Sequence, residues 1–260
     1  MCDTKKAILV VSFGTSYKNI IKRTIDAIED DIKNAFPKYK CYRAFTSNII
    51  IKKLMKKYNM KVDTVTEALE RLISDGIKEL IIQPTHIING IEYDQMLENL
   101  HKYYSKFDSI KIGTPLLTAI DDYSTIVELI TKEFSYLNPD EALICVGHGT
   151  SHCANSTYPK LNYMFKEKGY NNVFIGTVEG YPSLEAVLNE LKTFNPKRIT
   201  ITPLMVVSGD HAINDIASNK DDSWKSILES QGYKVECFLK GLGEYSKIRE
   251  MYIKHIQKAI

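Results

Sequence analysis

Apolar residues follow two alternating rhythms along the chain. Short unbroken runs such as Ala7–Val11 and Ala142–Val146 have the length and content of strands buried on both faces. Between such runs, apolar residues recur every three or four positions. Ile21, Ile25, Ile28 and Ile32 predict one helical face that Pro37 stops, and Val65, Leu69, Leu72 and Ile73 predict another. Thr64 with Glu67 predicts a capping box at the start of that second helix, which Gly76 closes. The first half thus predicts strands at Ala7–Val11, Cys41–Thr46, Glu79–Gln83 and Ile110–Thr114. Its further helices are a basic one carrying Lys52, Lys53, Lys56 and Lys57, read as a solvated face, and others over about Glu92–Tyr104 and Tyr123–Phe134. The second half predicts strands at Ala142–Val146, Val173–Thr177, Arg198–Thr202 and Lys234–Leu239. Its helices fall around Tyr158–Lys168, at Leu184–Phe194, from Ala212, and at Ser246–Ile256. Strand and helix alternate throughout, which predicts an α/β fold with parallel sheets flanked by helices.

The order occurs twice. Ser12-Phe13-Gly14-Thr15-Ser16 lies under Gly147-His148-Gly149-Thr150-Ser151 at an offset of 135 residues (148 − 13). Gln83-Pro84 through Gly90 lies under Thr202-Pro203 through Gly209 at 119 (203 − 84). Two similar lobes are expected, 1–137 and 138–260, facing each other across a cleft; no Pro/Gly/Ser-rich linker separates them, so rigid packing is expected.

In this alignment His148 corresponds to Phe13, Glu179 to Ser47 and His211 to Glu92. Each second-half residue falls just past a predicted strand end, where open α/β sheets bind ligands. The carboxyl edge of one sheet is therefore expected to gather two imidazoles and a carboxylate, with Glu92 from the other lobe. That donor set can hold a divalent metal ion. The glycine framework is shared between the copies and the ionisable side chains are not. His86, at a first-lobe strand edge, is a candidate ligand contact or a packing residue. His148 and His152 have the i,i+4 spacing of zinc ligands, but the intervening Gly149-Thr150-Ser151 argues against a helix. His101 and His255 read as helix-surface residues and Trp224 as a packing anchor.

Composition narrows the classes. The chain has 260 residues, 44% hydrophobic and 25% charged, with a formal net charge of +2. That charge is too mild for a nucleic-acid partner, and no run is long enough for a membrane span. Five cysteines without a CxxC pair indicate a reduced compartment, and the first apolar run reads as a strand rather than a signal peptide, so a cytoplasmic location is expected. GxGxxG with its acid, GxxxxGK[ST] and GxSxG patterns are absent.

The segments Ile8–Tyr17 (ILVVSFGTSY), Tyr42–Ser47 (YRAFTS), His86–Tyr93 (HIINGIEY), Val146–His152 (VGHGTSH), Val178–Pro182 (VEGYP), Pro203–Asp215 (PLMVVSGDHAIND) and Gly241–Glu244 (GLGE) together resemble the class II tetrapyrrole chelatases, of the anaerobic cobaltochelatase (CbiK) type. The resemblance spans essentially the whole chain. It implies two lobes, each a four-stranded parallel sheet flanked by helices, related by pseudo-twofold symmetry. It implies ATP-independent insertion of Co2+ into sirohydrochlorin, with no organic cofactor and the metal as substrate. The ion is expected at His148, Glu179 and His211. On the same resemblance His148, His211 and Glu92 are expected to carry the chemistry, and Ser12, Phe13, Gly14, Thr15, His86 and Thr150 are expected to face the macrocycle. Cys153 and Ile91 stand where some relatives carry a histidine and an acid. Insertion of Fe2+ or Ni2+, a non-catalytic metal or tetrapyrrole carrier, and a two-His, one-carboxylate iron oxygenase are the alternatives. A homo-oligomer is compatible with the sequence.

Overall fold

A computed structural model describes residues 5–260, so Cys2 lies outside it. The apolar runs form two four-stranded, wholly parallel sheets. The first comprises β1 (Lys6–Ser12), β2 (Lys40–Phe45), β3 (Glu79–Pro84) and β4 (Ser109–Ile112), in the order β2-β1-β3-β4. The second comprises β5 (Glu141–Gly147), β6 (Val173–Thr177), β7 (Arg198–Pro203) and β8 (Val235–Cys237), in the order β6-β5-β7-β8. The order is the same in both, and so is the register: Val11 pairs with Pro84 as Val146 pairs with Pro203, and Ser12 with Phe45 as Gly147 with Thr177. Both prolines end their strands, where a missing N–H breaks no ladder.

The helices are α1 (Lys18–Arg23), α2 (Ile25–Ala35), α3 (Asn48–Tyr58), α4 (Val65–Ser74), α5 (Ile91–His101), α6 (Ile120–Glu133), α7 (Thr157–Glu167), α8 (Leu184–Phe194), α9 (Trp224–Ser230) and α10 (Ser246–Ala259). The capping box forms as expected, with Thr64 N donating to Glu67 Oε2 at 2.8 Å and Glu67 N to Thr64 Oγ1 at 3.2 Å. The four lysines of α3 are exposed around buried Leu54.

Three expectations are corrected. The helix through Ile21 and Ile32 is two helices. Thr24 leaves helical geometry at φ −118° and turns its hydroxyl back onto Ile20 O at 2.6 Å, while all four isoleucines stay buried. The helix expected from Ala212 is a single wide turn, Ala212–Ile216, closed by Ala217 N donating to Ala212 O; α9 starts separately. Polar side chains end that turn, because Ser218 Oγ donates to Asn214 O and Ser223 Oγ to Ser218 O. His255 is buried rather than on the helix surface, with Nδ1 donating to Thr114 O at 3.1 Å.

The division at 137/138 separates the sheets but not the compact units. One unit runs as far as Thr118 and includes Gly243–Ile260; the other is Ala119–Leu242. Helix α10 packs in the first unit, where Tyr252 donates to Thr85 O at 2.8 Å and Arg249 pairs with Asp31 at 2.6 Å. Helix α6 packs in the second, where Tyr123 donates to Thr157 Oγ1 and Phe134 stacks edge-on against Phe238. The helix after each sheet's last strand thus belongs to the other unit.

The second core gathers Ile144, Val146, Phe174, Ile199, Ile201, Ala212, Ile216 and Trp224. Trp224 is the anchor expected: its ring lies so close to β6 that a Cβ on Gly176 would stand 2.3 Å from it. Among the described residues, Cys41, Cys145, Cys153 and Cys237 are free thiols, and no helix is long and apolar enough to cross a membrane. Trp224→Ala is expected to lower unfolding free energy by about 3–5 kcal/mol, read as a shifted urea midpoint with unchanged slope.

Candidate metal centre

The central strand of the second sheet, β5, has β6 on one side and β7 on the other, so the chain leaves it in opposite directions and opens a crevice beyond its carboxyl end. His148 follows β5 directly, Glu179 lies two residues past β6, and His211 stands in the loop after β7. One potential ligand atom from each falls within 4.8 Å of the other two. The two imidazoles meet edge to face, centroids 4.5 Å apart, and His148 Nδ1 is 3.9 Å from Glu179 Oε2.

This convergence rests on backbone. Gly149 has φ +83°, and a Cβ there would stand 2.6 Å from Gly180 N and 2.8 Å from Thr177 Cβ. Glycine alone fits, since it tolerates left-handed geometry and close approach together. The turns after β5 and β6 are therefore laced directly, with Glu179 N donating to His148 O at 2.7 Å and Val178 N to Gly147 O at 3.0 Å. Asn155 ties them again, accepting from Thr150 N and donating to Tyr181 O.

The donors sit at an open edge. The side chains of His148, Glu179 and His211 are 38%, 59% and 33% exposed, enough for an ion and a bulky partner to reach them. Two imidazoles and one carboxylate suit Co2+, Fe2+, Ni2+ and similar ions, and three protein donors leave coordination positions for exchange. His148 Nδ1 lies 2.9 Å from Gly149 O, and His211 Nδ1 lies 2.6 Å from Asp215 Oδ2. Sequence reading singled out neither Asp215 nor Asn155. Asp215 is four residues beyond His211, a spacing that acquires meaning only once the turn is known. Asn155 has no local signal.

The other expected residues are placed as follows. In the first unit Gly14 repeats the left-handed turn at φ +98°, and Phe13, 41% exposed, stands where the second sheet has His148. Ser12 is buried and its hydroxyl accepts from Thr85 Oγ1; Thr15 is buried too. Glu92 lies in the first turn of α5. Thr150 is half-buried, its hydroxyl accepting from His152 N. His152 is outside the cluster, with Nδ1 accepting from Ala154 N, and Cys153 is exposed beside it. His86 keeps a partly exposed edge, yet both its ring nitrogens are buried with no hydrogen-bond partner among the described residues. Burial pushes its pKa down to about 4, against a weaker upward pull from Glu92.

Comparison with known proteins gives a consistent picture. The sequence model of a family described as cobalt chelatase (CbiK) matches residues 6–260. A Salmonella typhimurium protein named sirohydrochlorin cobaltochelatase is 36% identical over 256 residues, spanning 98% of this chain and 97% of that protein. The sirohydrochlorin cobaltochelatase CbiKC of Nitratidesulfovibrio vulgaris is 30% identical over 260 residues, 99% of this chain and 91% of that one. Among solved structures, SirB from Bacillus subtilis with Fe3+ superposes with a TM-score of 0.67 at 13% identity over 98% of this chain and 95% of that one, a likeness of fold. The two parallel sheets expected from the sequence are present, and the fold is the one seen in that structure.

Gly149→Ala and Gly169→Ala separate backbone strain from contact. Gly169 is also left-handed, at φ +86°, but has nothing near its Cβ. Its substitution should cost only about 1–2 kcal/mol of strain and leave Co2+ binding intact. Gly149→Ala must also push the Glu179 turn away, and calorimetry should show Co2+ affinity falling about 10-fold or more.

His86 makes a pH prediction. An unfolded imidazole titrates near ~6.5. Between that value and about 4 the unfolded chain takes a proton that native His86 refuses. Stability is therefore lost as pH falls through this window, by on the order of 3 kcal/mol from this residue. Urea unfolding at pH 7 and pH 4.5 should show a smaller acid loss for His86→Gln than for the parent.

Proposed function

The chain belongs to the cobalt chelatase (CbiK) family, and from that premise we propose that it inserts Co2+ into sirohydrochlorin. The observation that carries this reading is the meeting of His148, Glu179 and His211 at one sheet edge, in a chain that aligns end to end with relatives named for the reaction.

Both the ion and the macrocycle are substrates. His148, Glu179 and His211 receive Co2+, and the positions they leave open pass first to water and then to pyrrole nitrogens. A fuller cage would oppose release, because affinity for the free ion counts against its transfer. As the ring closes on the ion two pyrrole N–H bonds break, so one divalent charge replaces two protons and nothing is oxidised or reduced. His148 and Glu92 are the proposed proton acceptors, returning the protons to water. His148 is also the proposed first metal contact. Ser12, Phe13, Gly14, Thr15, His86 and Thr150 are the proposed contacts to the ring. No step needs ATP, in keeping with a sequence that lacks a phosphate-cradling motif. Free thiols support a cytoplasmic setting.

Anaerobic incubation with sirohydrochlorin and Co2+, followed by absorbance, should give many products per protein molecule. Fe2+ and Ni2+ run in parallel read the metal preference. His148→Ala should reduce the rate about 10²–10⁴-fold with far-UV circular dichroism unchanged. Unaltered turnover in that variant, or product that stops at one per wild-type chain, would overturn the reading.

A further inference from the structure

We propose that Asp215 is a positioning residue for the metal centre: it holds the His211 ring by Nδ1, so that Nε2 presents its lone pair to the ion and His211 becomes the anchoring ligand. This rests on the reading that His148, Glu179 and His211 receive Co2+.

A neutral imidazole has one ring lone pair, and the nitrogen that carries it is settled by the hydrogen bond the other makes. Asp215 Oδ2 lies 2.6 Å from His211 Nδ1, and a carboxylate there can only accept. The proton therefore sits on Nδ1 and the metal face is Nε2. The two nitrogens of the ring diverge, so Asp215 backs the imidazole instead of joining the cluster, which comprises His148, Glu179 and His211. A carboxylate behind a ligating imidazole fixes its orientation and raises its basicity.

The segment holds this pair in place. His211 directly precedes the wide turn Ala212–Ile216 and Asp215 lies within it, while Ala212 and Ile216 of that turn are fully buried in the second core. Turns of this geometry inside helical segments recur at functional sites. On its open side Asn214 Nδ2 donates to Asp210 Oδ1 at 3.1 Å, and beyond it Ser218 and Ser223 close the loop onto α9. The His211 ring is thus oriented before any ion arrives, at no ordering cost on binding.

His148 is held differently. Its Nδ1 lies 2.9 Å from the carbonyl of Gly149, a neutral acceptor and a weaker one. The site therefore contains one carboxylate-backed and one carbonyl-backed imidazole. That asymmetry suits an ion that must be captured and then handed on, with His211 retaining it while His148 lets go.

The test is Co2+ titration of the apoprotein by calorimetry for Asp215→Ala, Asp215→Asn, His211→Ala and the His211→Ala/Asp215→Ala double variant. Thermal midpoints of the four report on folding. Asp215→Ala should weaken Co2+ binding about 10–100-fold. Asp215→Asn, whose amide oxygen still accepts from Nδ1, should recover part of the loss. In the insertion assay KM for Co2+ should rise by a similar factor while kcat moves less. The double variant should bind no more weakly than His211→Ala, because Asp215 acts only through that ring. Wild-type affinity in Asp215→Ala, or Asn no better than Ala, overturns the proposal. An additive loss in the double variant makes Asp215 a direct ligand and also overturns it. Undiminished affinity in His211→Ala would instead sink the assignment of the metal ligands, and this proposal with it.

Discussion

The meeting of His148, Glu179 and His211 depends on a steric constraint on backbone. The turn after β5 passes so close to the turn after β6 that residue 149 has room for no side chain, and two direct amide-to-carbonyl bonds hold the turns together. His148 and Glu179 lie on either side of that contact and so inherit their separation from it. His211 joins them because β7 is the other neighbour of β5 and its loop is anchored in the core by Ala212, Ile216 and Trp224. A parallel sheet buried on both faces leaves its strand ends as the place where polar side chains can converge. Here three adjacent strand ends supply one donor each.

The same scaffold is built twice, and the comparison separates framework from chemistry. Strand order, register and the left-handed glycine after the first strand recur in both sheets. The positions that carry His148, Glu179 and His211 in one sheet carry Phe13, Ser47 and Glu92 in the other. Among the described residues, a cluster of three metal-capable side chains forms in the second sheet alone. What the copies share is what folding requires, and where they differ a reaction can be carried.

A protein that transfers a metal ion must bind it without keeping it. Three donors at an open edge meet that demand better than a closed tetrahedral cage, which belongs to structural sites. In the proposed site orientation comes from outside the donor set, through the carbonyl of Gly149 and the carboxylate of Asp215, so the proposed ligands stay few.

Local spacing alone specifies the alternation of strand and helix, the capping box at Thr64, the duplication and the placement of His148, Glu179 and His211 at strand ends. Apolar runs, 3.6-residue periodicity and a glycine beside a histidine need no knowledge of distant contacts. The break at Thr24 is local as well, a hydroxyl turned back onto Ile20 O four residues earlier, but hydrophobic periodicity does not register it. Long-range packing sets the rest. It alone decided that α6 and α10 pack away from the sheets they follow, which buries His255. Asp215 and Asn155 acquire their roles the same way, from a wide turn and a loop crossing that bring together residues with no pattern between them. Element type follows from neighbours along the chain. Which surface an element covers, and which side chain meets a ligand, follows from packing between residues far apart in it.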